Sequence, residues 1–444
     1  MDTFRLVKPD LSGEILAEVA VLGKYASALD YVAGVNQPEY LYWDKVRYKP
    51  RPPEMSAEKF WAIVKSLRQY SVSRVKTVVQ DDQYRSFTWQ HTPGLDRFLH
   101  EFDMKFGGAS AVSSLDSSLD RRMYISRGIM EEAIASSQLE GASTTRQVAR
   151  EMLIQDRKPR NKSEQMIHNN YRAMLLIEDW GKSKDMDMES LLGLHSILAK
   201  DTVASSEIGR IRRDEDKVVV MDAVSGEIYH VPPSESYLRE QIPRLVEYAN
   251  GSSEEEAFEH PFVKGVLLHF WIGYLHPFTD GNGRLARALF YWFLLRQGYW
   301  AVPYLSLSKY LKSSPAQYRD AYIYSEQDDN DVTYFIDYNV RKTRQAAAEF
   351  EKYVDRKTEE NRSRTAVIGS RYDLNARQVK LLHYLHKNPD AATTIKIHAS
   401  LYGVTRVTAR ADLESLEAIG FLSSRKVGRE RPFRATEKLV ELSG

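Results

Sequence analysis

The residues best suited to chemistry lie in one short stretch, HPFTDGNGRLAR, which runs from His276 to Arg287. A neutral imidazole such as that of His276 can accept a proton at physiological pH. Gly281 and Gly283 allow a tight turn and a close approach of backbone N–H groups to a ligand. Because the pattern predicts that a helix begins near Asn282, those N–H groups would lie at the positive end of a helix dipole and form an anion site.

Charged side chains complete this stretch. Arg284 and Arg287 are three residues apart, so on one helix both guanidinium groups can face the same side. Together with the glycines they indicate a polyphosphate ligand, and Asp280, the one carboxylate of the loop, is a suitable Mg²⁺ ligand beside phosphates. A lone histidine or arginine pair is usually structural, but no structural need explains all of these residues at once. The stretch therefore predicts a polyphosphate site with a general base beside it.

The pattern around this stretch is mostly helical. A capping box at Ser252 and Glu255 predicts a helix that runs through an apolar stretch and ends near Leu275. One β-hairpin is predicted inside the helical chain, with strands at Lys217–Met221 and Glu227–Val231 on either side of a turn. A surface loop with some β character is the alternative.

Four regions follow along the chain, and the predicted fold class is mainly α, with a small β-hairpin and a winged helix-turn-helix domain at the end. They are residues 1–115, mostly helical and of unknown role; 116–345, which hold the chemistry; 346–374, a charged helical linker; and 375–444. The last region predicts three helices and a two-stranded wing. It carries 12 Lys+Arg against 7 Asp+Glu. This basic balance is consistent with DNA as the partner, and a dimerisation or protein-docking module is the alternative.

Composition excludes several classes of protein. The 444 residues contain no cysteine, which rules out a disulfide framework, a thiolate nucleophile and cysteine-based zinc sites. The formal net charge of +1 argues against nucleic-acid binding by the whole chain. The sequence has neither the pattern of a signal peptide nor an apolar run long enough to span a bilayer, so we expect a cytoplasmic protein without a membrane partner.

The stretch HPFTDGNGRLAR resembles the core motif of the Fic/Doc family, HPFx(D/E)GNGRxxR, at every defined position, and the resemblance spans residues 120–345. It implies a Fic-type helical fold and an enzyme that transfers AMP from Mg-ATP to a hydroxyl of a target protein, with release of pyrophosphate. It makes His276 the general base for a Ser, Thr or Tyr hydroxyl and Asp280 the Mg²⁺ ligand. It assigns the phosphates to five residues, Gly281, Asn282, Gly283, Arg284 and Arg287, the last as the γ-phosphate contact.

A second motif, SSQLEG from Ser136 to Gly141, is similar to the family's inhibitory signature (S/T)xxxE(G/N). Ser136 and Glu140 lie one turn apart on a helix, which the resemblance places at residues 125–141. It implies that Glu140 pairs with Arg287 and leaves bound ATP in an unproductive pose. It also implies that the same glutamate assists the reverse reaction, removal of AMP. Without the downstream motif, Glu140 would be an ordinary exposed helix residue.

The resemblance also gives the predicted hairpin a role. A flap at Gly209–Val231 would hold an extended segment of the target protein by backbone pairing, and such pairing is weakly specific for side chains. The segment SPAQYRDAYIY resembles the helix that lies near the adenine in the family, which makes Tyr318 a candidate for stacking on the base.

Two other functions stay open at this point. The same fold transfers other phosphate-containing groups, as the Doc branch does with phosphate. Alternatively, the chain is a transcriptional regulator that acts through its winged helix, with the Fic domain as a nucleotide sensor. The complete motif from His276 to Arg287 favours the enzyme. The sequence does not predict the target, the oligomeric state or what relieves inhibition.

Overall fold

The computed structural model of the protein describes residues 3–13, 15, 27–107, 118–181, 183–222, 224–251, 258–302, 305–387, 391–425 and 431–441. The chain divides into two compact units, one formed by residues 1–113 and 124–348 and the other by 114–123 and 349–444. Most of the predicted region 1–115 therefore belongs to the same unit as the stretch from His276 to Arg287.

The fold is mainly helical with small antiparallel sheets, which confirms the mainly α class that the sequence predicts. In chain order the helices are α1 (Leu29–Asn36), α2 (Trp43–Val46), α3 (Ala57–Gln69), α4 (Pro93–Phe106), α5 (Ser118–Leu139), α6 (Arg146–Ile154), α7 (Lys162–Trp180), α8 (Met188–Ala199), α9 (Glu235–Asn250), α10 (Pro261–Leu275), α11 (Asn282–Arg296), α12 (Leu307–Lys312), α13 (Pro315–Gln327), α14 (Thr333–Arg371), α15 (Ala376–Lys387), α16 (Ile395–Tyr402), α17 (Arg406–Ile419) and α18 (Glu437–Glu441). The strands are β1 (Arg74–Gln80), β2 (Ser86–Gln90), β3 (Val220–Met221), β4 (Ile228–His230), β5 (Ala392–Thr393), β6 (Leu422–Ser424) and β7 (Phe433–Ala435). None of the helices within these described ranges has the length and apolarity that crossing a membrane requires.

Helices α10 and α11 form the centre of the first unit and pack against each other. Nearly every side chain of α10 is buried, including Trp271 and Leu275. A helix that is apolar around its whole circumference is stable only when other elements surround it, and α7 and α8 pack on α11. The loop between α10 and α11 is thus held between two fixed helix ends.

The start of α10 differs from the prediction. The sequence pattern predicts a start at Ser252, but residues 252–257 lie outside the described part, and the helix begins at Pro261. The His260 side chain caps it by accepting a hydrogen bond from the Phe262 N–H. Proline has no N–H and clashes with a preceding turn, so Pro261 fits the first turn and not the interior of a longer helix.

Helix α5, for which the sequence predicts an inhibitory role, also ends earlier than predicted. Helix α5 stops at Leu139, so Glu140 lies in the turn that follows it rather than on the helix. Gly141 adopts φ +91°, in the left-handed region that favours glycine. The chain therefore leaves the helix at the motif residue itself.

Two antiparallel hairpins belong to the first unit. Strands β1 and β2 pair in the otherwise helical region before α4, and sequence analysis does not predict this hairpin. Strands β3 and β4 pair within the predicted flap, so the two predicted strands are present but short. Two 3₁₀ turns, Ser205–Glu207 and Asp214–Asp216, precede them.

The second unit contains α15, α16 and α17 and a three-stranded antiparallel sheet in the order β5-β7-β6. Its core is apolar and includes Leu385, Leu413, Phe421 and Phe433. The sequence pattern anticipates two of these strands but not β5. Residues 346–371 of the predicted linker belong to α14. The winged-helix assignment stays a prediction.

Candidate active site

The loop between α10 and α11 is closed by backbone conformation and by one side-chain amide. His276 follows α10 with φ 47° and ψ 57°, and Gly281 precedes α11 with φ 90°. The Asn282 side chain accepts a hydrogen bond from the Phe278 N–H at 2.9 Å and donates one to the Phe278 carbonyl at 2.7 Å. Phe278 is fully buried. Asn282, predicted as a phosphate ligand, thus holds the loop closed in this structure.

Buried His195 of α8 supports the same loop, and sequence analysis missed it. Its ring stacks on Phe278 with 3.6 Å between ring centroids. Its Nδ1 accepts a hydrogen bond from the Gly209 N–H at 3.1 Å, so in the neutral ring Nε2 carries the proton and donates to the Asp280 carbonyl at 2.9 Å. Burial lowers the pKa of His195, which keeps that neutral form. The histidine ties the loop between α10 and α11 to Gly209, at the start of the predicted flap region.

The surroundings of His276 leave one of its ring nitrogens able to accept a proton. Its Nδ1 lies 3.3 Å from the Gly273 carbonyl, an acceptor, so Nδ1 carries the proton and Nε2 has a free lone pair. The Arg212 side chain holds the backbone here by donating to the His276 carbonyl at 2.8 Å. Burial, with a smaller contribution from His230, lowers the pKa of His276 to about 4. The imidazole is therefore neutral near pH 7, which a general base requires.

A cavity of about 210 Å³ lies beside His276. Five of the predicted site residues line it: Glu140, His276, Gly283, Arg287 and Tyr318. The other predicted residues, Ser136, Gly141, Asp280, Gly281, Asn282 and Arg284, are not among its lining residues. The cavity therefore brings together the predicted base, the start of α11 with Arg287, the predicted inhibitory glutamate and the aromatic ring, but not the predicted metal ligand.

Arg287 is the charged centre of this cavity. It is 2% exposed, and its Nε and Nη2 donate to the Ser136 hydroxyl and carbonyl at 2.8 and 3.0 Å. Its Nη2 also lies 2.9 Å from Glu140 Oε1, and that carboxylate raises the pKa of Arg287 against the opposing effect of burial. Among the described residues, Nη1 has no hydrogen-bond partner. One donor is therefore left for an anion that enters the cavity.

Gly283 leaves the space in which this ion pair forms. A Cβ atom at residue 283 would lie 2.1 Å from Glu140 Oε1 and 3.1 Å from Arg287 Nη1. The first distance is too short for two non-bonded atoms, so a side chain at residue 283 would displace the Glu140 carboxylate from its observed position. The sequence predicts that the backbone at residue 283 approaches a ligand closely. In this structure the ion pair of Glu140 and Arg287 occupies the space beside that backbone.

Glu132 anchors α5, and sequence analysis missed it too. It lies two turns before Glu140 on α5 and is 2% exposed. Its carboxylate accepts hydrogen bonds from the Tyr291 hydroxyl at 2.8 Å and the Ser308 N–H at 3.0 Å, and a further one from the Ser308 hydroxyl. Burial raises the pKa of Glu132, and the hydrogen bonds from Ser308 and Tyr291 oppose that rise. These bonds fix how far α5 reaches along α11.

Arg284 differs from its expected position beside Arg287. It is fully buried, and its guanidinium donates to the Leu198 carbonyl at 2.9 Å and to Asp280 Oδ1 at 3.2 Å. Side chains three residues apart on a helix differ in direction by only about 60°, but the acceptors on α8 and in the loop hold this one away from the cavity. Asp280 keeps its side chain 38% exposed.

Tyr318 lines the cavity, and a buried histidine contacts its hydroxyl group. Its hydroxyl lies 2.7 Å from Nε2 of His269, a fully buried histidine of α10. Burial lowers the pKa of His269 well below its ordinary value, so the ring is neutral. His269 was not predicted, because a histidine within an apolar helix carries no signal of its own until the partner helix is placed.

Residues of the predicted flap form another wall of the cavity. Val220 of β3 and Tyr229 and His230 of β4 line the cavity, together with Arg319 and Glu326 of α13. The outer edge of β4 is covered by the start of the chain, since the Phe4 N–H donates to the Ile228 carbonyl at 2.8 Å.

Comparison with known proteins finds a matching family and similar proteins. Residues 185–294 match the Fic/DOC family. The chain is 27% identical over 225 residues to protein adenylyltransferase Fic of Drosophila willistoni, covering 48% of this chain and 42% of that protein. It is 31% identical over 118 residues to the protein of the same name from Nematostella vectensis, covering 27% and 25%. The chain thus spans less than half the length of these relatives.

Solved structures similar to this one include a Fic family protein from Desulfovibrio desulfuricans, with a TM-score of 0.48 and 18% identity over 78% of this chain and 97% of that one. Another is Fic-1 from C. elegans, with a TM-score of 0.43 and 19% identity over 59% of this chain and 70% of that one.

Proposed function

Residues 185–294 are a Fic/DOC family domain, and from that premise we propose that the protein is a Mg-ATP-dependent adenylyltransferase that transfers AMP to a Ser, Thr or Tyr hydroxyl of a target protein and of itself. One observation carries the proposal: His276, Gly283 and Arg287 line a single cavity. A proton acceptor, a helix N-terminus and a guanidinium donor then face the same volume. Nucleophilic attack on a polyphosphate uses these three groups together.

The reaction forms one bond and breaks one bond at the α-phosphorus of ATP. The target oxygen attacks that phosphorus while its proton passes to Nε2 of His276, and the bond from the phosphorus to the β-phosphate oxygen breaks. Pyrophosphate leaves, and its charge is stabilised by the start of α11 and by Arg287. A positioned base contributes about 10²–10⁴ in rate, and the rest comes from orientation and charge stabilisation.

Asp280 fits the role of a single protein ligand that holds Mg²⁺ together with substrate phosphates. Its carboxylate is partly exposed, and only Oδ1 is bonded to Arg284. The described residues contain no group of three His, Asp or Glu side chains that could hold a metal ion by themselves. Mg²⁺ often binds through one carboxylate together with substrate phosphates, and there it would neutralise charge on those phosphates.

We propose that the ion pair of Glu140 and Arg287 makes this enzyme autoinhibited. The pair occupies Nη2 of Arg287, and the Glu140 carboxylate lines the cavity where a γ-phosphate would lie against Nη1. Two anions at one guanidinium repel each other, so ATP enters in a different pose or not at all. The same carboxylate lines the cavity together with His276, where it would orient a water molecule for the reverse removal of AMP.

The target would pair with β3 rather than β4. The outer edge of β4 is already bonded to Phe4, whereas β3 has no neighbour on its outer edge among the described residues. Val220 of β3 lines the cavity, so a strand added there continues directly to His276. Recognition by backbone pairing selects an extended target segment and few side chains.

The test uses purified protein with Mg²⁺ and ATP labelled separately at the α- and γ-phosphates. Wild type should label itself weakly, and Glu140→Gly should label itself at least about tenfold more, because one charge-assisted hydrogen bond is worth about 1.5–3 kcal/mol. Glu151→Gly is the matched control, since Glu151 lies on α6, outside the cavity.

The two labels distinguish AMP transfer from phosphate transfer. Transfer of the α-label alone supports AMP transfer, whereas transfer of the γ-label would show a phosphotransferase instead. Equal labelling of wild type and Glu140→Gly would contradict autoinhibition while leaving AMP transfer in place. Absence of either label from both proteins, in lysate as well as alone, would contradict the enzyme.

A further inference from the structure

His230, which the proposed chemistry does not use, has unusual hydrogen-bond partners. It lies on flap strand β4 and lines the cavity with His276, and its side chain is only 11% exposed. Its Nδ1 lies 2.7 Å from Glu326 Oε2 on α13, and its Nε2 lies 2.7 Å from the Tyr274 carbonyl on α10. The ring therefore joins three elements: the flap, α13 and the end of α10 that carries the catalytic loop.

These two partners determine the protonation state of the ring. A carbonyl and a carboxylate both accept hydrogen bonds, and a neutral imidazole has a single N–H to donate. Both contacts are satisfied when the ring carries two protons and a positive charge. The second proton belongs to the ring, because histidine is the more basic of the two side-chain types.

The surrounding charges agree with a cationic ring. Burial opposes the charge and Arg212 repels it, but Glu326 and the Tyr274 carbonyl outweigh them, and the pKa of His230 is raised above its ordinary value. His276 lines the same cavity as His230 and is neutral, and after burial the positive charge of His230 is the next contribution to its lowered pKa. The cation thus also favours the neutral form of the catalytic base.

We propose that His230 is a positioning residue for the target: held as an imidazolium by Glu326 and the Tyr274 carbonyl, it fixes β4 beside His276, so that the flap presents the target hydroxyl to the base. Tyr274 is two residues before His276, so the bond joins the flap to the segment that carries the base. The kinetic part of this inference rests on the proposed transferase function; the charge and the anchoring do not.

The direction of the pH effect follows from the raised pKa. A histidine whose folded-state pKa is raised gives its stabilisation fully below the unfolded pKa and loses it as pH rises through the folded value. The flap should therefore be anchored at neutral pH and loosen on the alkaline side. Acid affects the base instead, since His276 gains its proton only near pH 4.

The first test needs no enzymatic activity. In ¹⁵N-histidine protein, the resonances that disappear in His230→Gln should show both ring nitrogens protonated at pH 7. Hydrogen-exchange protection of β4 amides should fall about tenfold or more in His230→Gln, since charge-assisted hydrogen bonds are about twice as strong as neutral ones. His91→Gln is the control, because it removes a histidine bonded to Asp96 that does not line the cavity. A neutral His230 at pH 7, or unchanged protection, would overturn the proposal.

The second test measures transfer in the Glu140→Gly background to a tagged, inactive His276→Ala copy of the chain as acceptor protein. His230→Gln should raise the KM for this acceptor with little change in kcat and abolish the alkaline rise of KM. Glu326→Gln, which can still accept from Nδ1 but has no charge, should move that rise to lower pH by about one unit or more. An alkaline rise that stays unmoved in Glu326→Gln contradicts the role of the cation. Loss of all transfer in the parent protein instead contradicts the proposed function, and the first test still decides the charge state.

Discussion

The two sides of the cavity are built in different ways. The anion side, formed by Gly283 and Arg287, comes from one stretch of sequence at the start of α11, and its geometry follows from helix and loop conformation. The flap side, formed by Val220, Tyr229 and His230, has only two- and three-residue strands. Contacts from distant parts of the chain, Phe4 and Glu326, hold it in place.

This difference separates the chemistry from the choice of target. Buried helices hold the anion side and leave little freedom to its groups, as electrostatic stabilisation requires. The flap side depends on a few hydrogen bonds at a partly exposed surface, which shift more easily. Changes on the anion side should therefore affect the rate or nucleotide binding, whereas changes on the flap side should affect KM for the target.

The largest expected effect is that of the base. His276→Ala in the Glu140→Gly background should lower AMP transfer by about 10²–10⁴, because no other neutral imidazole lines the cavity among the described residues. ATP affinity, measured by calorimetry, should change little, since the phosphates contact α11. His91→Ala, a half-exposed site outside the cavity, should keep full activity. Transfer retained by His276→Ala would assign the base to another residue.

A smaller effect is expected from filling the space at residue 283. In the Glu140→Gly background, Gly283→Ala removes the clash with Glu140 but keeps a Cβ atom 3.1 Å from Arg287 Nη1. Overpacking of this kind costs about 1–3 kcal/mol, so ATP affinity should fall about tenfold while KM for the acceptor stays the same. Gly193→Ala is the matched control, because nothing lies within 4 Å of its added Cβ. An equal effect on both substrates would mean that the two sides are not independent.

The sequence predicts the anion side well because its residues are neighbours along the chain. His276, Gly283 and Arg287 lie within twelve residues, and a tight turn followed by a helix start brings their groups together. Glu140 lies far from them, but it belongs to a motif with a spacing of its own. Its pairing with Arg287 could therefore be predicted, although the end of α5 could not.

The supporting residues carry no such local signal. His195 and His269 are single histidines on buried faces of helices, and their partners Asp280 and Tyr318 become neighbours only after the helices pack. Arg284 shows the opposite error: its spacing from Arg287 predicts a shared face, but the Leu198 carbonyl competes for it. Hydrogen-bond partners that lie 86 or 85 residues away cannot be read from periodicity.

The smallest predicted effect tests how the start of the chain supports the flap. Gln327 at the end of α13 accepts from the Leu6 N–H at 2.9 Å and donates to the Phe4 carbonyl at 3.1 Å, so one amide holds the segment that covers β4. Gln327→Ala removes two neutral hydrogen bonds, each worth about 0.5–1.5 kcal/mol. We expect lower hydrogen-exchange protection of Phe4 and an increase of a few fold in KM for the acceptor, with kcat unchanged.

Whether KM for the acceptor rises or falls in Gln327→Ala decides which strand, β3 or β4, pairs with the target. If β3 receives it, losing the segment on β4 only loosens the hairpin, and KM rises. If β4 is the receiving edge, the segment of residues 3–7 competes with the target, and Gln327→Ala lowers KM instead. Gln147→Ala is the matched control, since within the described ranges the side chain of that exposed glutamine bonds to Glu151 on its own helix and to no other residue. A KM below that of the parent would reverse the assignment of β3 and make the segment a competitor that the target must displace.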